Sequence, residues 1–140
     1  MSGPERELGE MLLRIGAELE SMFAVVAKAE SLTPAEARLL RLLADTIPQA
    51  ELAPRLGVDK ARVSSLIRRL EARSLVRRDH DPGDRRARHV GLTLEGRQTI
   101  DRLGEGLQRA SPVVQRLTVK QRRELIDHLL PLDPLGAHGP

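Results

Sequence analysis

The 140-residue chain contains no cysteine. Disulfides, thiolate zinc sites, iron–sulfur clusters and thiol-based redox sensing are therefore excluded. Tryptophan and tyrosine are absent as well, and Phe23 is the single phenylalanine. Proteins that grip single-stranded nucleic acid stack its bases on aromatic side chains, and this sequence cannot build such a platform. Any nucleic acid it binds is expected to be duplex, and its core has to be aliphatic. Long apolar runs are missing too. Met22 to Ala27 is about the longest, far short of the ~20 residues that cross a bilayer. The first ten residues, MSGPERELGE, are acidic and lack the apolar stretch of a signal peptide. A soluble, cytoplasmic protein with no membrane partner is expected.

Lysine is scarce but arginine is not: only Lys28, Lys60 and Lys120 stand among the 23 basic residues. The net charge of +3 hides an asymmetry. Residues 55–88 hold 11 Lys/Arg against 5 Asp/Glu, while the rest of the chain holds 12 against 15. A basic middle between weakly acidic arms is the footprint of a polyanion-binding patch. A solvated arginine-rich surface would account for the charge alone equally well.

Leu8, Met11, Leu12, Ile15, Leu19, Met22, Phe23 and Val26 recur at helical spacing, which predicts one long amphipathic helix over about 5–29. Thr33-Pro34-Ala35-Glu36 reads as a helix start, with Thr33 as N-cap, Pro34 at N1 and Glu36 closing a capping box. That second helix runs to about Ala44. Pro48 at N1 opens a short third helix, which Gly57 stops after Leu56. Asp59 caps a fourth, from Lys60 to about Arg73. Its apolar stripe is Val63, Leu66, Ile67 and Leu70, leaving Lys60, Ala61, Arg62, Ser64, Ser65, Arg68 and Arg69 to face outward. Leu75 to Asp79 and Arg88 to Leu92 read as two strands joined through the turn Asp81-Pro82-Gly83-Asp84. Thr93 caps a fifth helix with Leu94, Ile100, Leu103 and Leu107 on one face. Gly96, Gly104 and Gly106 weaken it, and Pro112 bends or breaks it. Thr118 and Gln121 form another capping box, which starts a last helix with Leu125, Ile126, Leu129 and Leu130 on one face. Residues 132–140 read as a flexible tail.

Helix, helix, turn, helix and hairpin in this order make a winged helix-turn-helix. The expected fold class is mainly α with a small β-hairpin wing and a helical dimerisation region. A helix with a short, basic outer face fits the major groove, and a basic hairpin beside it reaches the neighbouring backbone or minor groove. The segments LTPAEARLLRLL, ELAPRLGVDKARVSSLIRRLEARSLVRR and DPGDRRARHVGLTLEG resemble those of MarR-type transcriptional regulators. The most specific piece is Asp84-x-Arg86-Ala-x-x-Val90-x-Leu92-Thr93-x-x-Gly96, similar to that family's wing and the start of its fifth helix. The resemblance covers about 30–97. It implies a two-fold homodimer built by the first, fifth and sixth helices, so 1–32 and 94–131 are the expected dimerisation region and 33–93 the DNA-binding domain. Three amphipathic helices with Leu-rich faces also need a partner surface, for which a two-fold dimer is the default. Two departures stand out. Ser74 occupies the place of a family glycine, where a left-handed helix cap costs more, so a slightly adjusted turn is expected. Pro54 lies inside the short third helix and predicts a kinked or tightened one.

On this reading Lys60 and Arg62 reach base edges, since arginine can donate two bonds to guanine. Ala61 is small enough to meet a thymine methyl, Ser64 and Ser65 can bond a base or phosphate, and Arg68 and Arg69 hold phosphates. The resemblance places Arg86 in the minor groove, braced by Asp84, with Arg85 and Arg88 on phosphates. Arg77 and Arg78 are open in either direction. Two recognition helices related by a two-fold axis would read a pseudo-palindrome with half-sites ~10 bp apart. Many members of the family respond to a small molecule held between the dimerisation helices and the winged domain. Met11, Met22 and Phe23 are the candidates to line such a pocket, although their spacing fits core equally. No cofactor is expected. No metal site is expected either: His80, His89, His128 and His138 offer no i, i+4 pair, and only His80 and His89 could face each other, across the wing. No catalytic motif is present, so an enzyme is not expected. The remaining alternative is a winged-helix module that dimerises or binds protein without reading DNA.

Overall fold

The computed structural model describes residues 3–45, 47–81, 84–111 and 115–133, and of residues 79–88 the backbone alone. Helix α1 (Gly3–Ala29) is followed by α2 (Pro34–Leu42), α3 (Gln49–Leu56) and α4 (Lys60–Ala72). Strands β1 (Val76–Asp81) and β2 (Asp84–Leu92) form an antiparallel hairpin. Helix α5 (Leu94–Ala110) and, after residues outside the described set, α6 (Val119–Leu129) with a 3-10 turn (Leu130–Leu132) complete the chain. This is the expected winged helix-turn-helix flanked by helices.

The caps explain most boundaries. Side-chain oxygens of Thr33, Asp59, Thr93 and Thr118 accept from the backbone N–H three residues on, at Glu36, Arg62, Gly96 and Gln121. Each satisfies an N–H that the first helical turn leaves without a partner. Only the Thr118–Gln121 pair is a reciprocal box. At Thr33 the Glu36 carboxylate instead accepts from the Thr33 hydroxyl (3.1 Å) and lies buried towards Arg69 of α4. Pro48 is the N-cap of α3 rather than N1. Pro54 cannot donate to the Ala50 carbonyl, yet α3 stays α-helical to Leu56, where Gly57 turns left-handed at φ 67°. Ser74 also stays left-handed, at φ 59°. Its turn keeps the glycine-type geometry, with the Leu75 N–H on the Leu70 carbonyl at 3.0 Å. The Thr93 hydroxyl donates to the Ser74 carbonyl at 2.6 Å and so ties the end of α4 to the start of α5.

The strands are longer than the sequence pattern predicts, because ladder pairing continues through charged residues. It is regular from Val76–Leu92 to His80–Arg88 and irregular beyond. His89 pairs with Asp79, and the register therefore separates it from His80, contrary to expectation.

The core is aliphatic. Leu39 and Leu40 of α2, Leu52 of α3, Leu66, Ile67 and Leu70 of α4, Leu75 before β1 and Leu103 of α5 are fully buried. The last turns of α1 close it with Phe23, Val26 and Ala27. Leu94, expected on the buried face of α5, is exposed, and Thr99 is buried in that helix instead. Two glycines permit close approach. A Cβ on Gly96 would lie 2.1 Å from the Leu75 carbonyl oxygen, and one on Gly106 would lie 2.8 Å from Val26 Cγ1. Outside this core, Leu8, Leu12 and Leu13 of α1 and Leu125, Ile126 and Leu129 of α6 are exposed.

Candidate nucleic-acid interface

Helix α4 presents two faces. Val63, Leu66, Ile67 and Leu70 are buried, and Lys60, Ala61, Arg62, Arg68 and Arg69 are exposed. The helix holds no acidic residue in its first turn beyond the Asp59 cap, so positive charge gathers at its outer N-terminal end. Among the described residues Arg62 and Arg68 have no ion pair, which leaves both guanidinium groups available to an external anion.

The structure half-buries Ser64 and Ser65, and gives Arg69 and Arg78 ion-pair partners within the chain. Ser64 lines a cleft of about 760 Å³ between α3, α4 and β2, together with Lys60, His89, Arg97, Asp45 and Gln49 among apolar side chains. Arg69 pairs with the buried Glu36 carboxylate at 3.8 Å, so part of its charge is already answered within the protein. Arg78 leans back onto Glu71 at 3.5 Å and is largely covered, which takes it away from the outer face.

The wing lies beside α4. Asp84, Arg85, Arg86 and Arg88 stand on β2. Their side chains, and with them the expected Asp84–Arg86 ion pair, lie outside the described residues. On the other side, Arg62 and Arg38 flank a smaller cleft of about 390 Å³ at the start of α2. Arg38 is held over the Phe23 ring at 5.7 Å and pairs with Glu20 at 3.6 Å.

Met11, Met22 and Phe23, the expected pocket residues, differ in burial along α1. Phe23 belongs to the core, Met22 is half-buried and Met11 is exposed beside Leu8 and Leu12. Neither cleft is lined by any of the three.

Arg73 escaped sequence reasoning. From the end of α4 it donates through Nη1 to the Ser31 carbonyl (2.7 Å) and through Nη2 to the Glu30 carbonyl (3.0 Å). Glu30 in turn accepts from Arg102 Nε of α5, whose Nη2 donates to Thr99 Oγ1 at 3.1 Å. No local pattern announces these bonds, because the partners of Arg73 lie 42 and 43 residues away.

A buried apolar stripe, a basic outer face and a hairpin at the end of the same helix define a winged helix-turn-helix protein of the nucleic-acid-facing type. The MarR family model matches residues 32–87. The "HTH-type transcriptional repressor Mb2911" of Mycobacterium bovis is 32% identical over 121 residues, covering 84% of this chain and 86% of that protein. The chain belongs to the MarR family. The "Transcriptional regulator HosA" of Escherichia coli is 39% identical over 71 residues, 49% of this chain. The chain spans about half the length of HosA, 53%, and 57% of that of YdgJ of Bacillus subtilis, a further curated relative it matches. Among solved structures, the MarR family protein Rv2887 of Mycobacterium tuberculosis has been determined with DNA (29% identity, TM-score 0.68, 90% of this chain and 97% of that one). It has also been determined with salicylic acid (30% identity, TM-score 0.70, 89% and 95%).

Proposed function

We propose that this chain is a sequence-specific, double-stranded-DNA-binding transcriptional regulator that acts in the cytoplasm as a homodimer on a pseudo-palindromic operator. The observation that carries this reading is the two-sided α4, with its apolar stripe locked in the core and Arg62 and Arg68 exposed and without an internal ion pair among the described residues. The DNA complex of Rv2887 supports it by similarity. Lys60, Ala61 and Arg62 enter the major groove and read base edges. Arg68 holds phosphate, with Arg69 contributing less because Glu36 shares its charge. Arg85, Arg86 and Arg88 on the wing reach the adjacent backbone and minor groove, with Asp84 orienting Arg86. Residues 33–93 form the DNA-reading unit, and 1–32 with 94–131 form the dimerisation region. The exposed leucines of α1 and α6 are the surfaces a second copy covers.

The function is regulatory rather than catalytic, with no cofactor. The regulator is a repressor that a small molecule relieves. A ligand does so only by binding the DNA-competent and incompetent dimers unequally. The cleft of about 760 Å³ beside α4, where Lys60 and Arg97 share the wall with Asp45, Gln49 and apolar side chains, is the candidate site for that small molecule.

Selection of random duplex DNA on the purified protein, followed by a salt titration of the enriched sequence, tests the reading. Enrichment of an inverted repeat, bound with steep salt dependence, is expected. Weak binding blind to sequence would overturn it and leave a protein-interaction module.

A further inference from the structure

Helix α4 is held to the rest of the fold by two kinds of contact. Its apolar stripe meets α2 and the core, and such contacts resist separation but have little direction. Its C-terminal end is fixed differently. The Arg73 guanidinium spans the Glu30 and Ser31 carbonyls with two hydrogen bonds. Those carbonyls lie in the turn that ends α1, where Ser31 is left-handed at φ 57° and Leu32 N–H closes on the Ala27 carbonyl at 2.9 Å. Carbonyls at a helix C-terminus carry partial negative charge, which a guanidinium complements. The Glu30 side chain is simultaneously held by Arg102 of α5. One two-residue turn thus receives the end of α4 through its backbone and α5 through its side chain.

We propose that Arg73 is a positioning residue for operator recognition: it fixes the tilt of α4 against α1, and so sets the separation at which the two recognition helices of the dimer read their half-sites. The inference rests on the DNA-binding dimer proposed above. Arg73 itself does not touch DNA. Its two donors point back to α1, and its loss alters the geometry of two half-sites together rather than the affinity of one.

The test uses full-length protein and synthetic duplexes carrying the inverted repeat enriched by the wild type. The spacer is kept, shortened or lengthened by one and two base pairs, and a further duplex carries a single half-site. In R73A, binding to the best-spaced repeat is expected to fall about five- to tenfold, the scale of a modest coupling. The preference among spacers should flatten. Single-half-site affinity and salt slope should stay at wild-type values, with the melting temperature lowered by no more than about 4 °C. R73K keeps the charge but cannot span both carbonyls, and is expected to fall between wild type and R73A; it carries the test if R73A fails to fold. An unchanged spacer profile in these variants would overturn the proposal. So would equal losses on single and paired half-sites with a shallower salt slope, which would make Arg73 a phosphate contact. A wild type with no preferred spacing would overturn this inference together with the dimeric reading, whereas an unaltered R73A beside a spacing-selective wild type overturns the inference alone.

Discussion

The two ends of helix α1 stand in different surroundings. Its last turns bury Phe23, Val26 and Ala27 against the winged unit, while its first half leaves Leu8, Leu12 and Leu13 in solvent. Helix α6 is exposed in the same way, and none of its residues is buried. The winged unit completes its own core from one chain, and the helical arms do not. An apolar stripe left uncovered on a long helix is a surface for association, so the same leucine chemistry has opposite meanings at the two ends. In the winged unit it holds the fold, and in the arms it waits for a partner.

Substitutions in the two regions should therefore fail in different ways. Leu66→Ala removes a fully buried side chain from α4 and should cost about 2–5 kcal/mol, read as a fall in thermal stability independent of protein concentration. A loss below 1 kcal/mol would mean the core around α4 can collapse onto the gap. Ile126→Glu, on an exposed position of α6, should leave the winged unit folded. Sedimentation should then show a single chain in place of a dimer, and affinity for a paired operator should drop about a hundredfold as the half-sites become independent. A dimer that survives would remove α6 from the interface; a variant that unfolds would erase the distinction between the regions.

Gly96→Ala probes the seam where they meet. The added Cβ would lie 2.1 Å from a backbone carbonyl at Leu75, so α5 has to shift away from the end of α4. Overpacking of this kind costs about 1–3 kcal/mol. Gly104→Ala, where nothing lies within 4 Å, should instead be neutral or stabilising through helix propensity. Circular-dichroism melts of the pair check this, and equal melting temperatures would refute the seam.

What could be read from the sequence was local. The caps at Asp59, Thr93 and Thr118, the stop at Gly57 and the stripe of α4 depend on residues within one turn of each other, and the structure has them as expected. What could not be read depends on distant partners. Spacing alone put Ser64 and Ser65 on the outer face, but both are half-buried, and Ser64 turns into the cleft that α4 forms with α3 and β2. Arg69 looked like any outward arginine until Glu36, 33 positions earlier, turned inward beneath it. The same holds for Arg73 and its carbonyls. Met11, Met22 and Phe23 share one helical face, yet only the C-terminal part of that face meets the rest of the chain.

The smallest effect separates two helix ends within the winged unit. Gly57 and Ser74 both end their helices in the left-handed region, at φ 67° and 59°. For glycine that conformation carries no steric penalty, whereas an L-residue with a Cβ loses about 1–2 kcal/mol there. Glycine also gives up more freedom on folding, which returns part of the difference. Ser74→Gly should then stabilise the protein by about 0.5–1 kcal/mol, a rise of roughly 2–4 °C in Tm for a chain of this size. Gly57→Ala should do the reverse by a similar amount, since its Cβ would meet open space and only the backbone would be strained. The Ser74 carbonyl, which accepts from the Thr93 hydroxyl, is kept in the glycine variant. A lower Tm for Ser74→Gly would mean that the serine side chain itself holds the junction between α4 and β1, and the two helix ends would no longer be equivalent.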